Sequence, residues 1–270
     1  MAGISTGVSL LSAANTLQIE DGLVRWFEFE GSEISSLGSS SYDWVGLHGG
    51  LENPEDFVLE PTGGKIGAGY LASTQFDPFS GSFLALRGGS SSLGSGASGT
   101  IGGWVKEYIN GSPSVAATIQ SAALCLLNTS FNSSAAVGDI GLAVSGTTGS
   151  TKTFSFVGGG GSGSTTGSLS GWTFFSYSFD FSDTSAGADG TQYFSINNGT
   201  VYSKALPAKG IFTYLQGVPY VDYSWNTVSN SHQHVFGMAV DGIFIYNKKL
   251  NSDQIAHLYN SGAGRSFGSL

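Results

Sequence analysis

One cysteine, Cys125, in a chain of 270 residues excludes an internal disulfide. Its setting, "AALCLL", is apolar, which suits a small buried hydrophobe better than a reactive thiol. Charge is scarce too. Asp, Glu, Lys and Arg together make up 11% of the residues, and ten cations against nineteen acids leave a formal net charge of −9. So few and such scattered cations argue against a polyanionic partner, and so against nucleic acid. No apolar run approaches the roughly 18 residues a membrane-spanning helix needs, so membrane insertion is not expected. The first residues, "MAGISTGVSLLSAANTLQ", lack the basic start and sustained apolar centre of a secretion signal, which predicts synthesis in the cytoplasm. A nucleophile elbow and zinc-binding spacing are also missing. The glycine-rich "VGGGGSGSTTGSLSG" lacks the Gly-Lys-Ser/Thr ending of a phosphate-cradling loop and reads as a flexible connection.

Glycine and aromatic residues are abundant instead. There are 42 glycines, and aromatics reach 13%, enough apolar surface to offset the entropy of ordering the chain. Turns and aromatics together point to many short strands joined by tight connections. Residues 1 to 20 precede the first strong strand, "GLVRWFEFEG", and read as an N-terminal arm before a domain over residues 21 to 270. The linker "GGSSSLGSGASG" would ordinarily mark a domain boundary, but neither half has a closing element of its own, so one domain is expected. In "GWTFFSYSFD" the Phe175, Tyr177, Phe179 face is apolar throughout, while the opposite face changes from aromatic to serine. That pattern suits an antiparallel strand buried on one side and half-covered on the other. Asn198-Gly199 is a two-residue hairpin signal, and "HVFGMAVDG" and "IFIYNKK" read as two strands. The economical answer is an all-β sandwich.

Near the C-terminus a short helix can be read residue by residue. Asn251 is the expected N-cap, with Gln254 completing a capping box and Leu250 with Ile255 forming a hydrophobic staple. Ile255, Leu258 and Tyr259 share one face, and Gly262 is positioned to end the helix with positive φ. Two turns are too short to stand alone, so the helix must be pinned to the sandwich.

The closing "VDGIFIYNKKLNSDQIAHLYN" resembles that of the laminin-G-like, concanavalin-A-type jelly rolls, in which a last strand carrying an aspartate runs into a short helix. Other segments resemble the same family in order: "LVRWFEFEG", "YDWVGLHGGL", "GGKIGAGYLAS", "TIGGWVKE" and "GWTFFSYSFD…TQYFSINNGTVYS", together spanning about residues 20 to 265. The resemblance implies an all-β, two-sheet antiparallel jelly roll with a short C-terminal helix. It also implies one structural calcium ion between the early aspartate loop and the last strand, with Asp43 and Asp241 as ligands and backbone carbonyls near Gly46 as further donors. The alternative is that Asp241 caps a turn and Asp43 lies in solvent. Three departures stand out: the loops between 80 and 170 are long and glycine-rich, Gly242 replaces an acidic residue after the aspartate, and Asp43 is followed by "WVGLHGG".

For glycosidase chemistry, Glu28 and Glu30 alternate along "WFEFEG", but no third acid continues the row, and a solvated charged edge is the better reading. His232 and His234 in "SHQH" lack a third metal ligand. The segment "PYVDYSWNTVSNSH" is the best recognition loop, with Tyr220, Tyr223 and Trp225 offering ring faces to a glycan beside the amide of Asn226. Its alternative is that these rings cover the sandwich or an oligomer interface. The function expected is a non-enzymatic, lectin-like structural or binding protein. By analogy with bacteriophage surface proteins it is a virion decoration or tail-adhesion component, anchored by residues 1 to 20 and contacting other virion proteins or itself. The alternative is an extracellular carbohydrate-binding module for a surface polysaccharide, and a glycoside hydrolase ranks third.

Overall fold

The computed structural model describes residues 19, 21–30, 44–48, 51–52, 57–73, 82–86, 98–108, 118–128, 140–147, 149–157, 163–207, 214–221 and 237–270. In chain order the first strands are β1 (Leu23–Phe27), β2 (Trp44–His48), β3 (Leu51–Glu52), β4 (Phe57–Glu60), β5 (Tyr70–Ser73), β6 (Ser82–Leu86), β7 (Ser98–Tyr108) and β8 (Thr118–Asn128). They continue with β9 (Ile140–Thr147), β10 (Lys152–Phe156), β11 (Ser164–Gly167), β12 (Thr173–Asp180), β13 (Thr191–Ile196), β14 (Tyr202–Ala205), β15 (Tyr214–Val221) and β16 (Gly237–Tyr246). A single α-helix, α1 (Ser252–Tyr259), follows among the described residues.

The strands form two antiparallel sheets, as a two-sheet jelly roll requires. The first runs β14-β13-β12-β7-β16-β5-β4, with β1 also paired to β16, and the second runs β11-β10-β9-β8-β15-β6-β2-β3. Strands from both sides of the "GGSSSLGSGASG" linker share both sheets, and the first strand pairs with the last.

Period-two alternation decides what fills the space between the sheets. Phe175, Tyr177 and Phe179 of β12, Phe194 of β13 and Ile243 and Ile245 of β16 face Leu124, Cys125, Leu142, Val144, Phe154 and Phe156 of the second sheet. Cys125 is wholly buried there, and burial pushes its thiol up to about 12. Tyr177 brings a hydroxyl into this core and donates it to Gln192 Oε1 at 3.0 Å. At one end of the sandwich the buried Lys152 ammonium meets Glu107 of β7 at 2.7 Å and donates to the Ser150 carbonyl at 2.8 Å. That contact ties the β9–β10 hairpin of one sheet to a central strand of the other.

The outer face of the first sheet carries a second apolar layer of Trp26, Trp104, Phe174, Phe244 and Tyr246, roofed by Leu250, Ile255 and Leu258. Gly102 of β7 permits close packing here, because a Cβ at this position would meet the Phe244 ring at 2.4 Å. The helix that forms the roof starts as the sequence predicts. Asn251 accepts from the Gln254 N–H at 2.9 Å, and Gln254 Oε1 accepts from the Asn251 N–H at 3.0 Å. It ends earlier than expected. The left-handed C-cap is Asn260, with φ 48°, and Gly262, with φ 89°, lies in the 3₁₀ turn that follows.

Three further expectations are corrected. The β13–β14 hairpin turns at Asn197-Asn198, both near φ 50°, with the Gly199 N–H reaching the Ile196 carbonyl at 2.9 Å. The two closing segments form one strand, β16, broken by an irregularity between Asp241 and Phe244. β1 stops at Phe27, and Phe29 adopts φ 55°, so Glu28 and Glu30 do not continue a strand row.

Candidate binding groove

The irregularity in β16 organises the site's surroundings. On one side β16 pairs with β7 from Gly237 to Asp241 and again from Phe244 to Tyr246; on the other, Ala239 and Val240 pair with β5, whereas Ile243 to Tyr246 pair with β1. Asp241 stands at that junction, fully buried on the outer side of the sheet. Its carboxylate accepts from the backbone N–H groups of Lys65 at 2.5 Å, Ile66 at 2.8 Å and Gly242 at 2.7 Å. Glu30 holds the same loop by accepting from the N–H groups of Ala68 at 3.0 Å and Gly69 at 3.2 Å. Burial pushes the Asp241 carboxyl up to about 7 even against its three amide donors, and Glu30 adds to the rise.

Calcium was expected here for its ability to clip two distant segments of chain together; in the structure the Asp241 carboxylate joins such segments through backbone N–H groups. Both Asp241 oxygens already receive amide donors. Gly46 lies on β2 of the second sheet, opposite Leu84, while the Asp241 carboxylate is turned outward from the first. Asp43 is outside the described residues, among which no group of three metal-ligating side chains occurs. Glu28, weighed with Glu30 for hydrolase chemistry and read instead as a solvated edge, accepts from the Trp26 indole at 2.9 Å and from the Phe267 N–H. Of the recognition loop, Tyr220 lies on β15 of the second sheet, opposite Phe83 and Ala123. Tyr223, Trp225, Asn226, His232 and His234 lie outside the described residues.

A different surface forms a groove. It has a volume of about 440 Å³ and runs between the outer face of β12–β13 and the first turn of α1. Its floor follows from alternation and register. Phe174 is buried beneath the helix, and the next outward residues of β12 are Ser176 and Ser178, directly opposite Ser195 and Tyr193 of β13. Ser176 and Ser195 hydroxyls are 2.9 Å apart, and Ser178 lies 2.9 Å from the Thr100 hydroxyl. Asn251, Ser252 and Asp253 at the start of α1 form one wall, and Asn198, Gly199 and Val201 beyond the β13 turn form part of the rim. Val201 is 59% exposed and is the exposed large hydrophobic residue among those described.

The remaining wall is Tyr193 and Lys249, tied together by Asp183 behind them. The Lys249 ammonium sits 3.6 Å from the centre of the Tyr193 ring and 3.2 Å from the Asp183 carboxylate, which also accepts the Tyr193 hydroxyl. Hydrogen bonds from Ser185, Tyr193 and Lys249 hold Asp183 well below the usual carboxylate range. Burial pulls the Lys249 ammonium down, but Tyr193 and Asp183 more than offset this and raise it. The change from aromatic to serine along β12 was visible in the sequence. Tyr193, Asp183 and Lys249 were not singled out, since only the turn after β12 and the landing of α1 bring them together.

No protein-family model and no curated protein sequence matches the chain. Solved structures do share its fold. The binding domain of botulinum neurotoxin serotype C1 superposes with a TM-score of 0.57 at 12% identity, over 90% of this chain and 53% of that one. The binding domain of botulinum neurotoxin DC in complex with SialylT gives 0.53 at 12% identity, over 90% and 52%. The binding domain of paraclostridial mosquitocidal protein 1 gives 0.52 at 13% identity, over 91% and 53%. The chain thus spans about half the length of the solved domains it matches, and what it shares with them is a two-sheet β-sandwich fold.

Proposed function

We propose that the protein is a non-enzymatic carbohydrate-binding β-sandwich that takes a sugar into the groove between β12–β13 and α1. The observation that carries this reading is the groove itself, whose volume of about 440 Å³ falls within the range of small-ligand sites. Its floor of serine hydroxyls offers both donors and acceptors, the mixed chemistry that sugar hydroxyls present in return. Tyr193 and Val201 add apolar surface beside that polar floor, as a sugar ring with one apolar face requires. The arrangement favours binding over hydrolysis: the serines bond one another and Thr100, and Asp253 is the one carboxylate among the described residues of the lining, where glycoside hydrolysis uses a pair. Glu28 and Glu30 are taken up by N–H donors. Among the structural neighbours, one toxin domain is in complex with SialylT, and the entry of botulinum neurotoxin type C depends on two ganglioside molecules; both support the reading by analogy of fold alone.

A glycan array probed with the wild-type protein and Ser252→Trp tests it. Ser252 is exposed on the groove wall, so a tryptophan there obstructs the opening without entering the core. The expected result is retention of a defined glycan set by the wild type and its loss in the variant. Absence of any retained glycan at millimolar concentration, or equal retention by the variant, overturns the proposal. Trp225→Ala in the same experiment compares this groove with the loop around Tyr220, Tyr223, Trp225 and Asn226.

The placement of such a module on a virion surface, with residues 1 to 20 as its anchor, rests on the sequence argument. Mass spectrometry of intact particles tests it. The chain at stoichiometric copy number supports a virion role, and its recovery free or in a secreted fraction points to a soluble lectin.

A further inference from the structure

We infer that the groove selects uncharged sugars and turns away glycans bearing sialic or uronic acids, an inference that rests on the groove being a glycan site. Lys249 is the cation of the groove's lining. Its charge is already balanced, because Asp183 lies 3.2 Å from its ammonium and the Tyr193 ring 3.6 Å below it. Asp183 is itself fixed, accepting the Tyr193 hydroxyl and the Ser185 N–H at 3.0 Å. The start of α1 could attract an anion through the partial positive charge of its exposed N–H groups. Here Asn251 already caps the Gln254 N–H, and Asp253 occupies the first turn on the groove wall. The charged residues of the lining are thus Asp253 and a Lys249 already paired with Asp183 behind it, in a molecule whose net charge is −9.

A carboxylate entering this groove must either displace Asp183 from Lys249 or lie beside Asp253 without a partner. Both are unfavourable, and like charges at a binding surface discriminate strongly against the wrong ligand. Sugar hydroxyls meet neither obstacle. They can bond the serines and the rim amide of Asn198 while leaving the Lys249–Asp183 contact intact.

The test uses pairs of oligosaccharides with the same core, with and without a terminal sialic acid, and the full chain as wild type, Ser252→Trp and the double variant Asp183→Asn/Asp253→Asn. Asparagine keeps the shape and an acceptor oxygen at both positions while removing the charge. The wild type is expected to bind the neutral member more tightly. The double variant should gain about three- to tenfold in affinity for the sialylated member, the scale of two partly exposed charge contacts. Added salt, which screens the same repulsion, should narrow the discrimination in the unsubstituted protein. Equal or tighter binding of the sialylated member by the wild type, abolished by Ser252→Trp, overturns the charge selection and leaves the groove as a glycan site. Binding of neither member, or unchanged binding by Ser252→Trp, removes the groove proposal and this inference with it.

Discussion

Asp241 shows how one side chain can join distant segments of the chain. Buried where β1 and β5 share one side of β16, it gathers three amide N–H groups and fastens the loop at Lys65 and Ile66 to the last strand. Its carboxyl is raised to about 7, while in the unfolded chain it titrates near 4, so between those values the folded state holds a proton that the unfolded state has lost. The contribution of this residue to stability therefore falls as pH rises from about 4 to about 7, by at most about 4 kcal/mol. Urea unfolding of the wild type and Asp241→Asn across that interval should give a stability difference that changes in this direction; a constant difference would contradict it. Gly242, next to it, has φ 54°, and a Cβ there would lie 2.7 Å from Ile66 Cγ1. Gly242→Ala should cost about 2 to 4 kcal/mol, read as a lowered urea midpoint. Glu107→Ala leaves the Lys152 ammonium buried without its carboxylate, and a loss of about 3 to 5 kcal/mol is expected in the same measurement.

Among the elements, α1 was the most readable from sequence, because its cap, box and apolar face are all local signals. Its stability is set by the apolar layer it covers. Asn251→Ala should cost about 1 kcal/mol through the cap, and Leu258→Ala about 2 to 5 kcal/mol through the cavity left over Trp104 and Phe174, a contrast that thermal unfolding can resolve. The misread features all depend on contacts distant in sequence or on a choice between neighbouring turn residues. Asn197-Asn198 and Asn198-Gly199 both accept positive φ, and the chain turns at the first, where the Gly199 N–H closes onto the Ile196 carbonyl. Nothing local in "VDGIFIY" reveals that β1 and β5 will divide one edge of β16, so the strand looked like two. Glu28 and Glu30 looked like members of a strand row because the turn at Phe29 is fixed by the loop that Glu30 binds.

For the whole molecule, composition and alternation were enough to give an all-β sandwich, and the solved β-sandwich binding domains share that fold at 12–13% identity. The groove was only half legible. The serine half of β12 announced an uncovered patch, but its walls come from Tyr193 and the segment from Lys249 to Asp253, with Asp183 holding Lys249 from behind, and only the completed fold assembles them. It lies on the first sheet, whereas Tyr220 of the predicted recognition loop belongs to the second, so a glycan's position separates the two readings. The most direct measurement is the mapping of backbone amide NMR shifts during titration with a neutral oligosaccharide retained on the array. The account predicts perturbations concentrated at Tyr193, Ser195, Gly199 and Ser252. Perturbations centred on Tyr220 to Asn226, with those four residues unmoved, would contradict it.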